Sequence, residues 1–238
     1  MQLEFERKPS LLPVASREEL DDLGEQLLLE YMPAVLESPT ATDIKYLAEE
    51  GIIVDMKDEL LYPNNLLGFV AFADIRFPLP EDRVMEVPEG TIVIDERLHG
   101  YEPRWRFTAA HELAHWILHR AYYTQVDYNF SFRKAGYSYI ACRTELGRKN
   151  PKEAETDDEW AEWQADNLAA SLLMPRKTFV KTAEEVLRKH GYEDLRLVSG
   201  VDIQRGFEVV RELANIYQVS LRSVRIRMRN FGMYVGDM

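Results

Sequence analysis

The 238-residue chain has a single cysteine, Cys142, so no disulfide can form within it; a lone free thiol suits a reducing compartment. It also lacks the roughly 18 uninterrupted apolar residues that a membrane span requires. Met1 to Pro13 carries Glu4, Glu6, Arg7 and Lys8 where a secretory peptide would have its apolar core, and the expected location is the cytoplasm. An excess of positive charge is missing too. The formal net charge of −12 argues against a surface built as a whole to bind nucleic acid. From Gly200 onward, however, Arg205, Arg211, Arg222, Arg225, Arg227 and Arg229 face only Asp202, Glu208, Glu212 and Asp237, so this segment is +2 and the remainder −14.

What is present is the composition of a globular protein, 46% hydrophobic and 29% charged, enough for one sizeable core. Ser16 and Glu19 form a Ser-x-x-Glu capping box ahead of Leu20, Leu23, Leu27 and Leu28, which predicts an amphipathic helix over 16–31. A second helix is expected from about Thr42 to Glu50, capped by Thr40 or Thr42 and closed by Gly51. Strand-like runs follow at Ile52 to Met56, Leu67 to Ile75 and Thr91 to Asp95, implying a small sheet before residue 100. Phe107 to Arg120 and Thr156 to Met174 read as helices; the latter opens on a second capping box, Thr156 and Glu159, and stops at Pro175. Between them, Ala121 to Glu155 is too long for a simple connection and has room for strands or a substrate-facing loop. Lys177 to His190, Phe207 to Tyr217 and Ser220 to Asn230 are helical again. The expected class is α+β, divided into 1–199 and a C-terminal helical module, 200–238, packed on it.

The chemistry is concentrated in the two middle helices. His111-Glu112-Leu113-Ala114-His115 sets two imidazoles at i and i+4, one turn apart on one helix face, where both reach one ion. Glu112 lies about 100° round the helix, placed to act as general base toward a water on that ion and not as a ligand. A catalytic zinc takes a third protein ligand and keeps its fourth position open. Glu162 and Asp166, again i and i+4, offer one carboxylate for the ion and one to accept the distal N–H of a ligating histidine. Each pattern alone has a plainer reading: two histidines on an ordinary helix, and the solvated acidic face of another whose Trp160, Ala161, Ala165, Leu168 and Leu172 pack inward.

Together the two helices resemble the ImmA/IrrE family of metallo-endopeptidases. Phe107-Thr-Ala-Ala leading into the HELAH pentapeptide, and Glu162-Trp-Gln-Ala-Asp-Asn-Leu-Ala-Ala-Ser-Leu-Leu-Met-Pro175, carry the resemblance. It implies a zincin fold of gluzincin type with one Zn²⁺ on His111, His115 and Glu162 and with Glu112 catalytic. It further implies an endopeptidase with a protein substrate, in several relatives a helix-turn-helix transcriptional repressor. The long insert between the helices departs from the family pattern.

Other residues are weighed against that site. His119 continues the i, i+4 series but lies about 12 Å of helix rise from His111, which points to a structural role. Cys142 sits at no metal-ligand spacing. Tyr122, Tyr123, His190 and Tyr192 all stand as candidates to stabilise an oxyanion. The strand at Thr91 to Asp95 is expected to offer an edge to an extended peptide. Leu213 to Gly232 reads as a helix-turn-helix whose Arg222, Arg225, Arg227 and Arg229 either contact DNA or form the wet side of a hairpin held by Ile216, Val219, Leu221, Val224, Ile226 and Met228. The charge balance favours the second. The competing functional reading is a zinc-containing DNA-binding or protein-binding regulator without turnover.

Overall fold

The Ser16 hydroxyl accepts from Glu19 N–H while the Glu19 carboxylate accepts from Ser16 N–H, closing the capping box and starting α1 (Arg17–Tyr31). In the computed structural model, which describes residues 5–124, 139–143 and 156–236, this helix packs along α5 (Asp157–Leu173). Contact between them is close: a Cβ on Gly24 would stand 2.3 Å from Ser171 Oγ, so only hydrogen fits there. The second capping box, Thr156 with Glu159, starts α5 as expected.

Between α1 and the sheet lie α2 (Ala34–Glu37) and α3 (Ile44–Tyr46), the latter running into a π-helical turn, Leu47–Ile52. Neither Thr40 nor Thr42 caps it. Asp43 does, accepting from Tyr46 N–H, because the Thr42 hydroxyl is buried and donates to Leu172 O at 2.7 Å. The left-handed residue that ends the segment is Ile53, two positions beyond Gly51.

Four strands form the main sheet, in the order β1 (Asp55–Glu59), β5 (Thr91–Asp95), β2 (Leu66–Ala71), β6 (Tyr139–Arg143). β1 runs parallel to β5, and β2 runs antiparallel to β5 and to β6. The long run at 67–75 splits after Ala71, since β3 (Ile75–Pro78) leaves the sheet to pair with β4 (Val84–Val87). All five residues of β5 are buried. It is an interior strand with a neighbour on each side, so the peptide-pairing edge expected of it does not exist; the edges of this sheet, among the described residues, are β1 and β6. β6 arises within the long insert between the helices, whose remaining residues 125–138 and 144–155 lie outside the described residues, as does Cys142's side chain.

α4 (Glu102–Tyr123) lies between this sheet and α5. Small residues permit the approach: a Cβ on Gly68 of β2 would meet Thr108 Cγ2 at 2.9 Å, and Ala109, Ala110 and Ala114 are fully buried. Arg106 ties the start of α4 to the α3 region by donating to Thr42 O at 2.7 Å. The core then continues through α6 (Arg176–Lys189), α7 (Ile203–Tyr217) and α8 (Leu221–Asn230), with β7 (Leu197–Val198) pairing in parallel with β8 (Tyr234–Val235). Leu20, Leu28, Leu168, Leu172, Leu213 and Val224 are fully buried in that one core, each contributing about 1.5–3 kcal/mol. The class is α+β. No helix among the described residues is long and apolar enough to cross a membrane.

Arg227 departs from the sequence reading, which put it with the wet-side arginines. It is 1% exposed, donates from Nη2 to Asp21 of α1 at 2.6 Å and from Nε to Met174 O at 3.1 Å, and lies 4.7 Å over the Phe231 ring. Arg222 and Arg229 are exposed.

Candidate metal centre

Helix geometry alone puts His111 and His115 one above the other on α4; the packing of α5 across that face brings Glu162 to both. His111 Nε2 and His115 Nε2 are 3.0 Å apart, and the Glu162 carboxylate lies 3.3 Å from the first through Oε2 and 3.4 Å from the second through Oε1. The three side chains form one group whose ligand atoms all lie within 4.8 Å of one another. Donors about 2.0–2.1 Å from a tetrahedral zinc stand about 3.3 Å apart. The observed separations match that spacing, and two nitrogens with one carboxylate oxygen are a donor set zinc accepts. The residues present therefore fit a divalent cation of this kind.

Burial alone would raise the Glu162 carboxyl, but its interactions and hydrogen bonds with His115 and His111 outweigh it and hold the group below the ordinary carboxylate range. Burial pushes the His115 imidazole down, against the pull of Glu162. Asp166 Oδ1 lies 3.1 Å from His111 Nδ1, the ring nitrogen facing away from the cluster. Glu112 is completely buried on α4 beside His111, while the Glu162 and Asp166 side chains are each about one quarter exposed, so solvent reaches the centre from the α5 side.

A family model described as the IrrE N-terminal-like domain, a peptidase family, matches residues 76–229, from β3 to the end of α8 and well over half the chain. The protein belongs to the IrrE N-terminal-like peptidase family. No curated protein matches the chain. Membership supports a metallopeptidase role in general, and the matched span includes α4, α5 and the whole His111, His115, Glu162 group.

Within this IrrE-like frame the four oxyanion candidates separate. Tyr123 packs beside the histidines, its ring centroid 6.3 Å from those of His115 and His119. Tyr122 donates to Asp158 at 2.8 Å and joins the end of α4 to the start of α5. His190 is engaged on α7, 3.0 Å from Glu212, and Tyr192 lies under Arg205. His119 is fully buried, and burial, reinforced by His115 beside it, lowers its pKa well below the ordinary value. Its neighbour Gln164 has no role assigned to it by the sequence. Gln164 sits on α5 between Glu162 and Asp166, 1% exposed, and its contacts are with His119, 45 positions away, and Pro13, 151 away. Only its place between the two carboxylates hinted at it.

Proposed function

We propose that the protein is a zinc-dependent endopeptidase that hydrolyses a peptide bond in a protein substrate, with His111, His115 and Glu162 as ligands and Glu112 as general base. The observation carrying this is the convergence of two Nε2 atoms and one carboxylate at zinc-ligand spacing, in a chain of a peptidase family.

When bound, the ion supplies Lewis acidity that polarises the scissile carbonyl and brings the pKa of water toward about 7. Glu112 takes a proton from the attacking water and delivers it to the leaving amine as the C–N bond breaks, a role for which burial beside the ligands suits it. Asp166 accepts the Nδ1–H of His111 and so keeps the Nε2 lone pair directed to the ligand cluster. Among proteins, a helix-turn-helix transcriptional repressor is the substrate that the family resemblance suggests. The segment 200–238 is read as a helical module packed on the catalytic unit; the burial of Arg227 removes one of the four arginines a DNA reader would use.

The test is zinc stoichiometry by elemental analysis on wild type, His111→Ala, Glu162→Ala and Glu112→Gln, together with peptidase assays on a repressor panel. One zinc per chain is expected, lost in the first two variants and kept in the third, with turnover in Glu112→Gln reduced by about 10²–10⁴-fold. A folded wild type that takes up no zinc would overturn the proposal.

A further inference from the structure

Behind His115, on the side away from Glu162, a chain of hydrogen bonds runs to the backbone near the N-terminus. Gln164 Nε2 stands 2.7 Å from Pro13 O. A carbonyl oxygen only accepts, so the amide nitrogen must be the atom facing it, and Gln164 Oε1 is left facing His119 Nε2 at 2.9 Å. Oε1 also only accepts. His119 Nε2 therefore carries a hydrogen. His119 Nδ1 lies 3.0 Å from His115 Nδ1, and only one hydrogen fits between two ring nitrogens at that separation.

The position of that hydrogen decides whether His115 can be a ligand. If it sat on His119, the neutral ring of His115 would carry its own hydrogen on Nε2, pointing into the cluster with His111 and Glu162 and blocking the lone pair. If it sits on His115, then His119 is a neutral ring protonated at Nε2 alone, which is the form that Gln164 already demands. The two ends of the chain agree, and His115 presents a bare Nε2 to the other ligand atoms.

We propose that His119 and Gln164 are positioning residues which hold His115 in its Nδ1–H tautomer for metal binding, with the Pro13 carbonyl as the fixed end of the chain. This rests on the reading of His111, His115 and Glu162 as the ligand set. The two ligating histidines are then backed differently, His111 by the carboxylate of Asp166 and His115 by uncharged groups. Charge gives a reason. Glu112, Glu162 and Asp166 already place three carboxylates at a site meant for a doubly charged ion, and a neutral partner fixes the second tautomer without adding a fourth.

The experiment has two arms on the full chain. Ring ¹⁵N shifts of zinc-loaded wild type, with only five histidines to assign, should show His119 protonated at Nε2 and His115 at Nδ1. Zinc affinity, read by competition with a chromophoric chelator, should fall by about 10–100-fold in His119→Leu and in Gln164→Leu, and recover in part in His119→Asn, which keeps an acceptor near the Nδ1 position. A wild-type spectrum with His119 protonated at Nδ1, or a folded His119→Leu that binds zinc within about twofold of wild type, overturns the inference and leaves the ligand set standing. A wild type that binds no zinc overturns both.

Discussion

Arg227→Met should destabilise the protein more than any other arginine substitution in the C-terminal segment. Its guanidinium and the Asp21 carboxylate are 1% and 3% exposed, so removal of the cation leaves a buried carboxylate without its charged partner. Losing one member of a buried pair costs about 3–5 kcal/mol. The bond from Nε to Met174 O disappears as well, leaving a carbonyl at the end of α5 to find another donor. For a chain of this size 1 kcal/mol corresponds to about 2–4 °C in Tm, so a fall of about 6–20 °C is expected. The assay is urea and thermal unfolding with zinc held at fixed concentration, since bound metal itself shifts Tm. Arg222→Met, an exposed site, serves as control and should stay within about 0.5 kcal/mol.

A double substitution separates the pair from its surroundings. Asp21→Leu with Arg227→Met removes both charges, and the double variant should recover much of the loss seen in either single one, because an apolar replacement no longer strands a charge. If Arg227→Met stays within about 1 kcal/mol of wild type, the pair is not formed in solution and the arginine returns to the set available for DNA.

Chelation should lower Tm by about 5–11 °C from a starting zinc concentration of about 100 times Kd, which is worth about 2.7 kcal/mol, while far-UV circular dichroism stays unchanged; in His111→Ala the chelator should shift nothing. The packed apolar core shared by α4 and α5, with Leu113, Leu168 and Leu172 fully buried, is why the helices should survive without the ion. Glu212→Gln tests a pH dependence. Hydrogen bonds from Lys189 and then His190 hold the Glu212 carboxyl below its ordinary value of 4.5, so its contribution is fully present above about that pH and is lost as pH falls through the lower folded value. The pair is partly exposed, so the wild-type advantage over Glu212→Gln should be at most about 1 kcal/mol at pH 7 and vanish in acid; an advantage that grows in acid would contradict the assignment. Gly24→Val should cost about 1–3 kcal/mol by driving α1 off Ser171, with partial recovery on adding Ser171→Gly.

What the sequence exposed and what it concealed divide along the range of the interactions. Capping boxes at Ser16 and Thr156, and the i, i+4 pairs on α4 and α5, depend on one helix turn, and a helix has one geometry. Placement of Glu162 against the two histidines needed only the further fact that α5 crosses α4, which the resemblance implied. Sheet order was another matter. The strand at 91–95 was read as an edge because it comes last before α4, yet it is interior because β1 pairs with it in parallel on one side and β2 antiparallel on the other. The Thr42 cap failed for a similar reason: its hydroxyl has a stronger use against Leu172 O, 130 residues away, and Asp43 took over the local role. Arg227 is the extreme case, an arginine in a run of arginines distinguished only by a partner 206 positions earlier.

His119 lies between these limits. Its distance from His111 ruled it out as a ligand to the same ion, and that argument holds in the structure, where it faces away from Glu162. The same spacing that excluded it made it the neighbour of His115, one turn on, so the i, i+4 series HELAHWILH contains both the proposed ligand pair and a histidine in hydrogen-bond reach of one of them. What no spacing could supply was Gln164, because the acceptor for His119 comes from the opposite helix and is itself oriented by a carbonyl that precedes α1. A helix repeat can place a ring beside a ligand; only tertiary contacts that end on a group of fixed polarity, such as Pro13 O, can decide which of its nitrogens carries the hydrogen.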